Sequence, residues 1–396
     1  MPPTLSGTLL TGFAELWTGT SVVRDAAVHL VGDRVAWVGP RAHAPSADAV
    51  VDVEGAIGVP GLVDCHTHTV FAGSRVDDFV RRLAGETYTA ILEQGGGIHA
   101  TVRATRMATE EELTLLTEQR LERMLARGVT TVEVKSGYGL RLDVELRQLR
   151  AAVAADVGVE VVPTYLAHVI PPGVDRQAWV DEIVAVHLPA VVGLATGVDV
   201  YCDQGAFTLD EAARILWAGK GLGLTVHVHA EQVAHTGVAA LAGALGAASA
   251  DHLERVDAVG IAALAGGGTV AVLLPGAMVY LRDTAPPVAL LRAAGVPMAI
   301  ATDFNPGSSP VLDLWTAATL ACLTMGLTVE EALMGVTVNA GRALGRPDLG
   351  WLGPGSAADL AVFRPPPGEP ARVGVLVQYL GGQDAEQVWK RGRRVR

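Results

Sequence analysis

Gly128-Val129-Thr130-Thr131-Val132-Glu133-Val134 follows directly on the segment Thr109 to Arg127, and the two together set the pattern of the chain. The first is a short, β-rich apolar run. The second opens with a capping box, Thr109 with Glu112, and carries apolar residues at Leu113, Leu116, Leu121, Met124 and Leu125. That is one face of an α-helix, which Gly128 ends. Thr208 with Glu211 and Thr328 with Glu331 open helices the same way. Apolar runs recur at Val159 to Tyr165, Val198 to Cys202, Leu224 to Val228, Val270 to Leu274 and Val296 to Ala301, with helical stretches between them. About eight strand-then-helix units predict an α/β fold, a closed (β/α)8 TIM-like barrel. A doubly wound open sheet is the alternative, and it wants a glycine-rich phosphate turn after its first strand. Gly95-Gly96-Gly97 lies in a loop and Gly266-Gly267-Gly268 precedes a strand, so that turn is missing.

Outside this middle zone both ends read as short strands. Ala26 to Val31, Gly32-Asp33 and Arg34 to Gly39 predict a hairpin. Ala358 to Phe363 and Val388 to Gly392 repeat the style. Neither end can bury a core alone, so the two are expected to pair. The division is residues 1–55 and 345–396 as two parts of a small β-sandwich domain, with the barrel at 56–344.

Of the 396 residues 50% are hydrophobic and 18% charged, which excludes a disordered chain. No apolar run reaches the ~18 residues of a membrane helix. Met1-Pro2-Pro3-Thr4-Leu5-Ser6 shows no basic region ahead of an apolar stretch, so no secretory signal is expected. Cys65, Cys202 and Cys322 cannot all pair within one chain, which suits a reducing cytoplasm. The net charge of −12 disfavours nucleic acid and anionic membrane as partners. The basic stretch Lys390 to Arg396 reads as a solvated tail.

The chemistry lies where the apolar runs end, because strand ends line the active site of a barrel. The run Ile57 to Val63 ends Asp64-Cys65-His66-Thr67-His68, and residues two apart on a strand face one way. Later runs end at His227-Val228-His229-Ala230-Glu231-Gln232, Asp251-His252 and Thr302-Asp303-Phe304-Asn305. Imidazoles and one carboxylate at four strand ends suit Zn or Fe(II) and leave room for a water. Such a water, its pKa lowered toward ~7, is a hydrolytic nucleophile. His227, deeper on its strand, and His235, at a helix start, read as structural.

These motifs resemble the amidohydrolase superfamily, in the opening Pro60 to His68 and in Gly353-Pro354-Gly355-Ser356-Ala357-Ala358-Asp359-Leu360-Ala361. Within it the chain resembles the imidazolonepropionases. The likeness lies in Val70 to Arg75, Gly95 to Ile98 with Thr101 to Arg106, Glu133-Val134-Lys135-Ser136-Gly137-Tyr138-Gly139-Leu140, His229 to Gln232 and Ala301 to Ser308. The resemblance implies one divalent metal, Zn or Fe, on His66, His68, His229 and Asp303. It implies hydrolysis of the ring C–N bond of 4-imidazolone-5-propanoate to N-formimidoyl-L-glutamate, in histidine degradation. Substrate contacts carried over by position are Arg75, Tyr88, Tyr138, His168 and Gln232, with Asn305, Gly307 and Ser308 at the product-like end. His252 would polarise the ring carbonyl or assist proton transfer.

The residue types agree with these roles. Arg75 can clamp the propionate tail bidentately. Tyr88 and Tyr138 offer a face for a flat ring and a hydroxyl for an oxygen. Gln232 stands where related deaminases carry a proton-moving glutamate, so proton transfer falls to Asp303 and His252 rather than Glu231, whose side chain points the other way on a strand. Ala100 replaces a common serine. Lys135 reads as a structural cation and not as the carbamylated lysine of two-metal relatives. The partner expected is a small molecule with a carboxylate tail, and a homodimer is expected for the fold. Two other functions compete: another one-metal amidohydrolase such as an aromatic-base deaminase, and a catalytically silent barrel. Arg75 and Gln232 speak against the first, and the complete ligand set against the second.

Overall fold

The computed structural model describes residues 5–86, 90–91 and 94–396. Among them the strands form two eight-stranded sheets. The first begins with β1 (Leu5–Trp17), β2 (Val22–Val31), β3 (Arg34–Pro40), β4 (Ala47–Asp52) and β5 (Ile57–Pro60). The second holds β6 (Leu62–Asp64), β7 (Val129–Lys135), β8 (Glu160–Ala167), β9 (Gly197–Cys202), β10 (Thr225–Ala230), β11 (Ser249–His252), β12 (Val270–Leu273) and β13 (Met298–Ile300). The chain then returns to the first sheet as β14 (Leu360–Phe363), β15 (Gln387–Lys390) and β16 (Arg393–Arg394).

The second sheet is the expected barrel. Its eight strands neighbour one another in chain order and pair parallel. Beyond the ladder, β6 meets β13 through Asp303 N to His66 O at 3.0 Å and His68 N to Phe304 O at 2.9 Å. Buried Asp64 adds to this closure, accepting from Thr302 N at 3.1 Å and Thr302 Oγ1 at 2.6 Å. The closure therefore places His66, His68 and Asp303 side by side. All three capping boxes form, at Thr109, Thr208 and Thr328.

The termini build one continuous sheet around its own core of Leu10, Phe13, Leu16, Val28, Leu30, Leu360 and Val362. Long β1 pairs antiparallel with β2 and, on its other edge, parallel with β4 and then β5. Antiparallel β14 continues from β5. Here the structure differs from the sequence reading. The run Ile57 to Val63, taken as one barrel strand, is split at Gly61: its first half joins the terminal sheet and only β6 joins the barrel. Both halves are buried, so hydropathy could not separate them. Gly61 allows the crossing, since a Cβ there would lie 2.3 Å from Thr130 Oγ1.

The basic C-terminus is a second correction. Lys390 is no solvated tail residue: its Nζ lies 2.8 Å from both Glu160 Oε2 and Asp359 Oδ2. Arg391 and Arg346 reach Glu160 at 3.1 and 2.5 Å. Only the residues from Arg393 onward are exposed. Glu160 opens β8, so this cluster ties the terminal sheet to the barrel floor.

Burial would raise the Glu160 carboxyl, but Lys390 and Arg346 overcome it and hold the group at about 2 against an ordinary 4.5. A depressed carboxylate stabilises the fold above its unfolded pKa and loses that contribution as pH falls. Glu160→Gln should therefore cost about 2–3 kcal/mol at pH 7. In urea titrations the gap to wild type should narrow below about pH 4.5, by up to ~1.4 kcal/mol per pH unit. A gap independent of pH would assign the loss to packing.

Candidate active site

The barrel brings the four expected ligands to one point. His66 and His68 follow β6, His229 lies in β10 and Asp303 follows β13. The ring centroids of His66 lie 5.4 Å from His68 and 4.4 Å from His229. One nitrogen from each of the three lies within 4.8 Å of the others. Asp303 Oδ1 completes the group, 3.5 Å from His66 Nε2 and 3.3 Å from His68 Nε2.

Their chemistry fits a divalent ion. His66 Nδ1 is held by Asp251 Oδ2 at 2.6 Å and His229 Nδ1 by Asp199 Oδ1 at 3.0 Å. Among the described residues His66 Nε2 has no hydrogen-bond partner although it is buried. Burial, aided by the Lys135 ammonium, pushes His66 well below its ordinary pKa and His68 down to about 3. Burial likewise takes His229 to about 4. Neutral imidazoles with one nitrogen fixed by a carboxylate, as in His66 and His229, and the other presented inward are the usual form of metal-binding histidine.

Beneath them lies fully buried Lys135, the last residue of β7. Its Nζ is 2.7 Å from both Glu133 Oε2 and Asp199 Oδ2, and 3.8 Å from Asp251 Oδ2. Burial opposes its charge, but these three carboxylates hold it protonated. The reading as a structural cation thus acquires a specific content: one ammonium anchors both acids that orient His66 and His229. Sequence reasoning did not single out Asp199, Asp251 or Glu133. The available signal was acidic residues inside fully buried strands, where only pairing permits them.

Above the histidines opens a cavity of about 310 Å³. Arg75, Tyr138, His168, Gln232, Asn305, Gly307 and Ser308 all line it, with His252 and Asp303. Tyr88 lies outside the described residues. Arg75 Nε donates to Asp78, which also accepts from Gly97 N at 2.9 Å. The other edge of the guanidinium faces Gly307, where a Cβ would stand 3.1 Å from Nη1. Asn305 shapes this loop: Oδ1 accepts from Gly307 N and Ser308 N at 2.8 and 2.7 Å, and Nδ2 donates to Asp303 O at 2.8 Å. Tyr201 and Arg82 also line the cavity and were not foreseen. Tyr201 Oη donates to Gln232 Oε1 at 3.3 Å, and Arg82 covers the Tyr280 ring at 4.6 Å.

The remaining candidates separate cleanly. Glu231 is turned toward a helix start, accepting from Gly237 N at 2.6 Å and lying 3.2 Å from His235 Nδ1. His227 sits a layer below and meets Ser249 Oγ at 3.0 Å. His252 is buried with Nδ1 3.7 Å from Glu254 Oε1, long for a hydrogen bond. Burial would lower its pKa, but Glu254 and Asp303 raise it to about 9. Glu231, His252, Leu253 and Asp303 all have positive φ, from 49° to 77°, backbone strain of the kind found at functional sites.

An imidazolonepropionase of Cereibacter sphaeroides is 49% identical over 364 residues, covering 88% of this chain and 91% of the relative. The chain belongs to the imidazolonepropionase family. The imidazolonepropionase of Methylobacterium nodulans is 46% identical over 97% of each chain. The amidohydrolase family model matches residues 77–396. In fold the chain is similar to an adenosine deaminase from Xanthomonas campestris with bound zinc (TM-score 0.77, 20% identity, 99% and 93% of the two chains). It is also similar to an atrazine chlorohydrolase from Arthrobacter aurescens complexed with zinc (TM-score 0.71, 16% identity, 98% and 94%). At such identity these two show the fold alone.

Carboxylates behind ligating histidines are worth about 10–100-fold in metal affinity. Asp199→Asn should lose that much in competition with a chelator, because an amide can present a donor where His229 Nδ1–H needs an acceptor. An unchanged affinity would leave Asp199 as a partner of Lys135 only.

Proposed function

We infer that the chain hydrolyses the ring C–N bond of 4-imidazolone-5-propanoate to N-formimidoyl-L-glutamate, the imidazolonepropionase reaction of histidine degradation, at the cavity above His66, His68, His229 and Asp303. The observation that carries the siting is one cavity with a metal-fitting donor cluster at its floor and the Arg75 guanidinium in its wall. A carboxylate drawn into such a cavity needs a charged partner.

One divalent ion, Zn or Fe, would be held by these four residues; when bound it supplies Lewis acidity and a water of lowered pKa. Asp303, beside the histidines, would help hold the ion and is the carboxylate placed to take up a proton from the attacking water. His252 faces the same space and polarises the ring carbonyl. Tyr138 and His168 flank the flat ring, Gln232 offers its amide, and Arg75 binds the propionate with the Asn305–Ser308 loop beside it. A homodimer, a cytoplasmic location and no nucleic-acid or membrane partner complete the reading. The acidic net charge supports the last, and no helix among the described residues is long and apolar enough to cross a membrane.

Following the ultraviolet absorbance of freshly made imidazolone propanoate tests the reading directly. Elemental analysis should give one ion per chain, and full activity after complete chelation would overturn the metal's role. Removing a positioned general base costs ~10²–10⁴ in rate, so Asp303→Asn should lose at least that. His252→Asn should lose kcat yet keep the ion.

Arg75→Ala should lower kcat/KM at least about 30-fold, since truncating one partner of a buried charged pair costs about 2–5 kcal/mol. The loss should fall on KM, because the tail is remote from the breaking bond. A substrate analogue with a neutral amide for the carboxylate should lose little more in the variant. Equal losses for the two compounds would show that Arg75 holds the loop, through Asp78, and not the tail.

A further inference from the structure

Tyr138 lies in a loop that wraps around a buried carboxylate. Glu145, in the first turn of the helix Leu142–Ala154, accepts three backbone N–H bonds from this loop. Gly137 N reaches Oε2 at 2.6 Å, while Gly139 N and Leu140 N reach Oε1 at 2.9 and 2.7 Å. The loop is shaped for this contact. Gly137 and Leu140 have φ of 106° and 50°, and a Cβ on Gly139 would stand 2.8 Å from Oε1. On its outer side Arg106 donates to Gly139 O at 2.7 Å and Leu140 O at 3.1 Å. Both the N–H groups and the carbonyls of residues 139 and 140 are therefore fixed.

The loop also presents a carbonyl to the site. Gly137 O lies 3.1 Å from His168 Nδ1. A carbonyl only accepts, so Nδ1 carries the hydrogen, and in the neutral ring Nε2 on the opposite edge is an acceptor. The Tyr138 and His168 centroids are 5.5 Å apart, and His168 stacks on His68 at 5.9 Å and 23°. One carboxylate thus governs the position of Tyr138 and the hydrogen-bonding sense of His168.

We propose that Glu145 is a positioning residue for the reaction: through the 137–140 loop it sets Tyr138 against the substrate ring and fixes His168 as the acceptor for a ring N–H. This rests on the substrate contacts proposed above for Tyr138 and His168.

Glu145→Gln places an amide N–H₂ against backbone N–H groups without changing size. Imidazolone propanoate turnover, metal content and melting temperature would be measured for this variant, for His168→Phe, which keeps the stacked ring and removes both nitrogens, and for the double variant. Glu145→Gln is expected to keep one ion per chain and raise KM about tenfold or more, with kcat within about threefold. In the His168→Phe background the same change should raise KM by a clearly smaller factor, because the acceptor it positions is already gone and only the part carried through Tyr138 remains. Equal factors in both backgrounds, or a wild-type KM for Glu145→Gln, would overturn the proposal. A wild-type KM for His168→Phe would instead overturn the substrate contact on which it rests. Should Glu145→Gln not accumulate, Glu145→Asp, which keeps the charge and draws it back by one methylene, is read by the same pair of backgrounds.

Discussion

The candidate active site hangs on one buried ammonium. Lys135 Nζ lies among Glu133, Asp199 and Asp251, and two of those acids hold the ring nitrogens of His229 and His66. Left without the cation, three carboxylates in a barrel interior would repel one another and take up protons. Burial and its acidic neighbours already push Asp251 well above the ordinary carboxylate range. The ammonium opposes that push, and together with His229 it holds Asp199 well below the ordinary range despite burial. Orientation of an imidazole through its far nitrogen, as in His66 and His229, turns neighbouring histidines into a potential binding site.

The same logic extends upward through the site. Carboxylates beside and beneath the cavity hold the groups that shape it. Asp78 bonds both Arg75 and Gly97, Asp64 joins the first and last barrel strands through Thr302, and Glu145 gathers the loop that carries Tyr138. At the opposite end of the barrel Glu160 does this for the terminal sheet. Each buried acid is satisfied by several donors, which makes it tolerable in a low-dielectric interior and makes the local backbone rigid. Rigidity of this kind is what lets a small cavity keep its metal-fitting cluster and its cation at a constant separation.

Much of this was legible in the amino-acid order. Repeating apolar runs and helical faces determined a parallel barrel, and three capping boxes read from Thr and Glu spacing all formed. Strand ends determined which histidines and which aspartate would meet, because side chains at the ends of parallel strands converge by geometry alone. The tertiary structure decided what periodicity cannot carry. Ile57–Pro60 and Leu62–Asp64 are equally buried, so only the three-dimensional crossing at Gly61 assigned them to different sheets. Lys390 looked like part of a solvated basic tail until folding brought Glu160 beside it from 230 positions away. Asp199 and Asp251 stood out only as acids within apolar strands and Glu145 not at all, since a buried acid's role is explained only by the donors that surround it. Those donors come from distant strands and loops, and a linear pattern records a residue's own periodicity but not the partners that neutralise its charge.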